Sequence, residues 1–382
     1  MKVLLIAPQP FYSQRGTPIA VRLLAEEIAR QGNEVDLLTY WEGEDVDIPG
    51  VTILRATKVP GVRNIPIGFS VRKLLANFSL LLSFLRLSRN GRYDIVHAVE
   101  ESVFFALLFR WLHRSTVVYD MDSDLAQQMS VRFNSIKILH LLFRSIENWA
   151  IRRSDRIVAV CEDLAIPARK LNDPVNVFVL NDIVPPEATT ETSIDKLREF
   201  ADPDEILALY VGNLESYQGV ELLVDAAGML PADINLRILV IGGADSDIDR
   251  FKSIIRGRSL EDRMVFLGQR PLTQLMAYLE QADILLSPRA SGNNTPLKIY
   301  CYMSAGKPII ATEIASHTQV LSKQLAQLVP PSGEAIADAL KTLASDPLLR
   351  EKLGARVRNE ADSRYTLSAF RSTLMKAYAG LA

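Results

Sequence analysis

The sequence predicts an α/β protein made of two doubly wound domains in tandem, and three observations carry that expectation. Short, continuously apolar runs recur and alternate with longer stretches of helical periodicity, the pattern of strands buried on both faces of a parallel sheet. The pattern stops at a polar, Pro- and Thr-rich stretch, Asn181 to Ser193, and then restarts. The length of 382 residues, 48% of them apolar, suits two globular cores at roughly 150 residues each.

In the first half, strands are expected at Val3–Ala7, Val35–Tyr40, Ile95–Ala98, Thr116–Tyr119, Arg156–Val160 and Val175–Leu180, with helices at Ile19–Gln31 and Ser102–His113. After the boundary, strands at Ile206–Val211, Arg237–Ile241, Met264–Leu267, Ile284–Ser287 and Ile309–Ala311 alternate with helices. Those helices are expected at Val220–Leu230, Asp249–Arg256, Thr273–Gln281, Leu297–Ser304 and Ala335–Ala344. From Glu351 to Leu381 the composition is helical throughout. The domains are therefore placed at residues 1–186 and from 187 onward. In such a tandem the carboxyl ends of two sheets face one cleft, where open α/β sheets bind ligands.

Composition excludes several functions. With 43 basic and 45 acidic side chains the formal charge is −2, so no global excess is present to hold nucleic acid. Cys161 and Cys301 are too few and too far apart for a disulfide framework or a cysteine zinc site, and they fit a reducing, cytoplasmic compartment. Met1-Lys2 runs straight into an apolar strand without the features of a secretory signal. The longest apolar runs, Phe78 to Leu87 and Ser102 to Phe109, are shorter than the ~18–20 residues that span a bilayer.

Four loops carry the candidate chemistry. In the first, Arg15, Gly16 and Thr17 precede a helix, with Thr17 expected as N-cap and Pro18 at the first helical position, so the free amides can meet an anion or hydroxyl. Gly-x-Gly-x-x-Gly is absent, which argues against a nicotinamide enzyme. In the second, His97, Glu100 and Glu101 follow one strand and Asp120, Asp122 and Asp124 follow the next. Such acids can accept from sugar hydroxyls or serve as a base, or they can cap the next helix. The third runs from Gly212-Asn213 to Gln218-Gly219. The fourth, Ser287 to Pro308, holds Arg289, Asn293, Asn294, Thr295, Pro296, Leu297, Lys298 and Cys301. There, Thr295 is expected to cap and Pro296 to open a helix whose N-terminus, flanked by Arg289 and Lys298, forms a phosphate cradle.

On these motifs the chain resembles the retaining glycosyltransferases of family 4, which have the GT-B fold of two Rossmann-like domains. The resemblance rests on the Gly16 loop, Asp94 to Ala98, Arg153 to Glu162 and Gly212-Asn213-Leu214 with Gly219. It continues through Val265 to Gly268, Ala282 to Pro288 and Tyr302 to Thr312. It implies a nucleotide-sugar donor held by residues 187–365 and an acceptor held by residues 1–186, with a last helix, about 366–382, returning to the first domain. It implies base binding by the backbone near Gly268-Gln269-Arg270, and no protein nucleophile, metal or other cofactor.

The chain also departs from the family. Asn213 and Gln218 replace the usual Arg and Lys, Asn293 and Cys301 replace two Glu, and Val99 replaces a His. The expectation is a rewired donor site in which Lys298, Arg289 and the helix amides supply the positive charge, while Asn213 and Gln218 hydrogen-bond phosphate. Glu100, Asp120 and Asp122 would orient sugar or acceptor, with Arg15, Thr17, His97 and Glu101 on the acceptor side. The alternatives are a non-catalytic partner protein of the same fold and a nucleotide-sugar epimerase. Residues 55–114 hold ten basic side chains against three acidic ones, among exposed-looking apolar residues. This pattern fits either a solvated helix or an anionic membrane surface bearing a lipid-linked acceptor, which would make the protein peripheral to the membrane.

Overall fold

The computed structural model describes the chain except for Gln14, residues 67–69, Gly91, residues 126–136, residues 190–193, Asn293 and Ala382. It divides into two compact units, Met1–Asp182 with Ser368–Ala382, and Ile183–Leu367. The chain passes between them at Asp182, four residues before the boundary expected from composition.

The first unit is built on a parallel sheet ordered β3-β2-β1-β4-β5-β6-β7. Its strands are β1 Lys2–Ala7, β2 Glu34–Thr39, β3 Val51–Arg55, β4 Ile95–Val99, β5 Thr116–Met121, β6 Arg156–Ala159 and β7 Val177–Val179. β1 and β4 are buried on both faces and pair in register, Leu5 beside His97. The order reverses between them, so the crevice at a topological switch point opens beyond their carboxyl ends. Helix α1, Gly16–Arg30, follows β1. Helix α2, Val71–Asn90, crosses from β3 to β4, and α3 Ser102–Leu108, α4 Arg110–His113, α5 Lys137–Arg153 and α6 Glu162–Leu171 connect the strands beyond the switch. Right-handed crossovers place these helices together on one face of the sheet.

The second unit repeats the plan with the order β10-β9-β8-β11-β12-β13. Its strands are β8 Ile206–Val211, β9 Leu236–Ile241, β10 Met264–Gly268, β11 Ile284–Ser287, β12 Ile309–Thr312 and β13 Gln327–Val329. The helices are α7 Val220–Met229, α8 Asp245–Gly257, α9 Leu275–Gln281, α10 Leu297–Ala305, α11 Ala315–Thr318, α12 Gly333–Ser345 and α13 Pro347–Arg364. The chain then turns at Tyr365, whose ring packs edge-on to Tyr300 at 4.9 Å, and α14, Leu367–Tyr378, returns to the first unit. There Arg371 binds Glu27 of α1 through two hydrogen bonds of 2.6 and 2.9 Å.

The expectations from sequence differ from this in several places, among them helices α6 and α11, which lie outside the expected set. β3 and β13 are sheet edges whose residues are largely half-exposed, so neither shows as a continuous apolar run. α5 mixes charged residues with its apolar stripe. The helix expected over Ser102–His113 breaks at Phe109, while the helical chain end divides at Tyr365 into α13 and the expected last helix. Among the described residues no helix is long and apolar enough to cross a membrane.

Candidate active site

In the second unit the loops after β8 and β11 are locked together by glycine. Gly219 sits in the left-handed region at φ 68°, where a Cβ would lie 2.2 Å from the carbonyl oxygen of Pro288. The Ala290 amide also donates to the Tyr217 carbonyl at 2.8 Å. This contact carries Gln218, which is buried, to the ammonium of Lys298, which donates to its Oε1 at 3.0 Å. The ammonium also lies 4.1 Å from the centroid of the Tyr210 ring. A Cβ at Gly212 would stand 2.9 Å from the Tyr210 hydroxyl and 3.3 Å from this Lys298 nitrogen, so a larger residue would crowd the same spot.

Arg289, 8% exposed, folds back over its own loop. Nε donates to the Ser291 carbonyl at 2.8 Å, and the two terminal nitrogens donate to the carbonyl and side-chain oxygens of Asn294 at 3.2 Å each. Those bonds use three of its five N–H groups. Its guanidinium carbon lies 5.4 Å from the Tyr217 centroid, and a Cβ on Gly292 would collide with it. Every partner of Arg289 and Lys298 is neutral. Burial, reinforced by Arg289, therefore pushes the Lys298 ammonium well below its usual pKa, and burial lowers Arg289 too. Among the described residues neither cation meets a carboxylate, and both lie in the segment that opens α10, whose first amides and fixed positive charge suit an anionic ligand.

Thr295 and Pro296 stand one step away from their expected positions. α10 begins at Leu297 with Pro296 as its N-cap residue, and no side chain caps it. Thr295 is 1% exposed, and its hydroxyl has no hydrogen-bond partner among the described residues. Asn213 is committed to its own turn, accepting from the Glu215 amide and donating to the Tyr217 hydroxyl at 3.2 Å each, and is not the free phosphate donor expected. Cys301 is fully buried on the inner side of α10 and presents no group to a ligand. Asn293 lies outside the described residues. Gly268 takes φ 76° with open space around it, and its carbonyl accepts from Gly242 at 2.7 Å. Arg270 turns away toward Asp195, 3.9 Å distant.

Sequence reasoning missed His317, which is fully buried behind this site. Its Nε2 meets the Ser287 hydroxyl at 2.9 Å and its Nδ1 the Thr312 carbonyl at 2.7 Å. Burial, with the nearby charges of Lys298 and Arg289, pushes its pKa down to about 4. A lone histidine between Ser316 and Thr318 carries no local signal of that role.

In the first unit the acids separate by partner. Glu101 binds Lys73 at 2.6 Å and accepts from Asn77, and Asp124 binds Arg144 at 2.9 Å, so both are structural ties. His97 is fully buried with both ring nitrogens engaged, Nδ1 with the Tyr378 hydroxyl at 2.7 Å and Nε2 with Asp120 at 3.2 Å. It joins α14 to the sheet and has no atom left for an acceptor, contrary to expectation. Glu100, at φ 49°, accepts from Ser123 at 2.8 Å, and burial followed by Glu101 pushes its carboxyl up.

Asp122 has no hydrogen-bond partner among the described residues, and burial with Asp120 and Glu100 holds its pKa well above the ordinary range. Asp182, missed in the sequence because it sits in the polar connector, joins this group; burial and Asp120 raise it to about 7. Among the described residues no set of three or more His, Cys, Asp or Glu is placed to hold a metal. In the loop after β1, α1 begins at Gly16 with exposed Arg15 as N-cap, so Thr17 is inside the first turn and does not cap.

Comparison with known proteins covers both units. The domain described as "Glycosyl transferase 4-like domain" matches residues 15–181, and "Glycosyl transferases group 1" matches residues 192–360. The phosphatidyl-myo-inositol mannosyltransferase of Mycobacterium leprae is 24% identical, covering 99% of this chain and 96% of that protein. Sucrose-phosphate synthase from Thermosynechococcus elongatus superposes with a TM-score of 0.81 at 20% identity, over 100% of this chain and 99% of that one. HepE of Anabaena, solved with UDP and glucose, gives 0.77 at 17% identity over 100% of both chains. These two show the same two-domain GT-B fold. With one glycosyltransferase domain matched in each half, the chain belongs to glycosyltransferase family 4 and is an enzyme of glycosyltransferase type.

Proposed function

We propose that the protein transfers a sugar from a nucleoside diphosphate sugar, UDP- or GDP-linked, to a hydroxyl of a sugar or lipid-linked acceptor, with retention of anomeric configuration and without a metal. The observation that carries this is the pair of buried cations, Arg289 and Lys298, which among the described residues meet only neutral groups, near a Thr295 hydroxyl that has no partner there. A diphosphate would bring negative charge to this cation pair. As the sugar leaves, charge builds on its phosphate oxygens, and fixed cations with the first amides of α10 stabilise it where it develops. Lys298 delivers to Gln218 the charge that the family's Lys would have carried there. The expectation of a rewired donor site is thereby given a specific form.

On the acceptor side, Glu100, Asp122 and Asp182 are carboxyls whose protons are held by burial and mutual repulsion, able to donate to or accept from hydroxyls. The mannosyltransferase of an inositol lipid among the relatives supports a lipid-linked acceptor for this chain. The test incubates the enzyme with UDP-glucose or GDP-mannose and candidate acceptors, following nucleotide release and product configuration by NMR. Acceptor-dependent release with the donor's anomeric configuration, unaffected by EDTA, is expected. No transfer from either donor, an inverted linkage, or abolition by EDTA would each overturn the corresponding part.

A further inference from the structure

Four neighbouring helices of the first unit, α2 to α5, carry an outward face that no described residue covers. α2 packs against α4, and α3 against α5. α2 buries Ala76, Leu80 and Phe84 in the core, yet Val71, Leu74, Leu75, Phe78 and Leu82 point outward, with Val71 71% and Phe78 60% exposed. At about 100° per residue these five occupy one arc of roughly 100°, opposite the core side. α5 repeats the arrangement with exposed Leu141, Leu142, Ile146 and Trp149. Leu108 and Trp111, 64% and 71% exposed, come from the segment between the two long helices. Contiguous apolar exposure of this kind marks an interaction surface.

Its charge identifies the partner. Arg72, Arg86, Arg89, Arg114, Arg152 and Arg153 are exposed on or beside these helices, and none forms an ion pair among the described residues. The single acid of the four helices, Glu147, is 1% exposed and held by Arg144. A second copy would set arginine against arginine, and a nucleic acid would leave the leucines and tryptophans uncovered. We propose that this face docks on an anionic lipid surface, with the apolar side chains entering the interface and the arginines taking headgroup phosphates.

The surface differs from the basic stretch read from sequence. Arg55 is spent on the carbonyls of Phe11, Glu42 and Glu44, Lys73 on Glu101, and Arg110 on Asp155, while α5 lies wholly beyond residue 114.

Docking is independent of donor chemistry, so the two readings fail separately. The test floats the full chain with phosphatidylcholine vesicles with and without phosphatidylglycerol, and measures the mass in solution by light scattering. Co-flotation with the anionic vesicles alone, weakened but not abolished by salt, is expected. Arg86→Gln and Arg89→Gln should each lower partitioning about fivefold. Phe78→Asp with Trp111→Asp should abolish it while leaving the melting curve and its UDP response unchanged. Absence of flotation with anionic vesicles at low salt, equal flotation of the double aspartate variant, or a dimer which that variant dissociates would each overturn the proposal.

Discussion

Replacing Lys298 with Met is expected to move two quantities in different directions. In the free protein the ammonium is withdrawn from water, bound to the amide oxygen of Gln218 at 3.0 Å and repelled by Arg289. A buried charge without an opposite partner is costly, so an uncharged side chain of similar length should leave the melting temperature unchanged or raise it. Once UDP is bound, the same charge becomes half of a charge-assisted hydrogen bond, worth about 1.5–3 kcal/mol. Its loss weakens binding about 10- to 150-fold.

Scanning calorimetry reads both effects. UDP at 100 times the wild-type Kd adds about 2.7 kcal/mol, whereas at the same concentration a thirtyfold weaker variant gains about 0.9 kcal/mol. For a unit of this size 1 kcal/mol is about 2–4 °C. The UDP-induced rise should therefore shrink from about 5–11 °C to about 2–4 °C. A full rise in the Lys298→Met variant, or a free variant that melts well below wild type, would refute the assignment and make the lysine a packing residue.

Three other outcomes test the remaining features. The folded-state pKa of Asp182 is raised from 3.8 to about 7, so between those values the folded state holds more protons and the first unit loses stability as pH rises. Asp182→Asn should accordingly out-melt wild type above pH 7, with the gap closing toward pH 3.8; a gap that widens on acidification contradicts it. His317 works in the opposite sense. Its pKa falls from 6.5 to about 4, so the second unit loses up to about 3 kcal/mol as pH falls through that window. His317→Gln should flatten the slope in urea titrations on either side of it. Tyr378→Phe removes the 2.7 Å bond to His97 and should cost about 1–3 kcal/mol, seen as faster hydrogen exchange in α14; unchanged exchange would separate α14 from that contact.

Short-range patterns made much of this molecule legible. Runs such as Val3–Ala7 and Ile284–Ser287 are buried on both faces, and a parallel strand of that kind needs no partner information to be recognised. The Gly212 and Gly219 loops and the cationic segment around Lys298 were also readable, because strand, loop and helix start follow one another within a few residues. Edge strands such as β3 lacked the signal because a half-exposed strand has no continuous apolar run.

Partnership was not readable. Glu100, Glu101, Asp120, Asp122 and Asp124 looked alike in sequence, yet Lys73 and Arg144 neutralise two of them, His97 engages a third, and Asp122 is left unpartnered beside the distant Asp182. Likewise Gln218 and Lys298 are 80 residues apart, and only the packing of Gly219 on Pro288 brings them within 3.0 Å. Local periodicity and composition were enough to fix the element types, the doubling of the fold and the presence of a cationic loop. The tertiary structure alone decided which charges are spent on neighbours and which remain for a ligand, because the energy of a charge depends on its burial and on partners that folding selects.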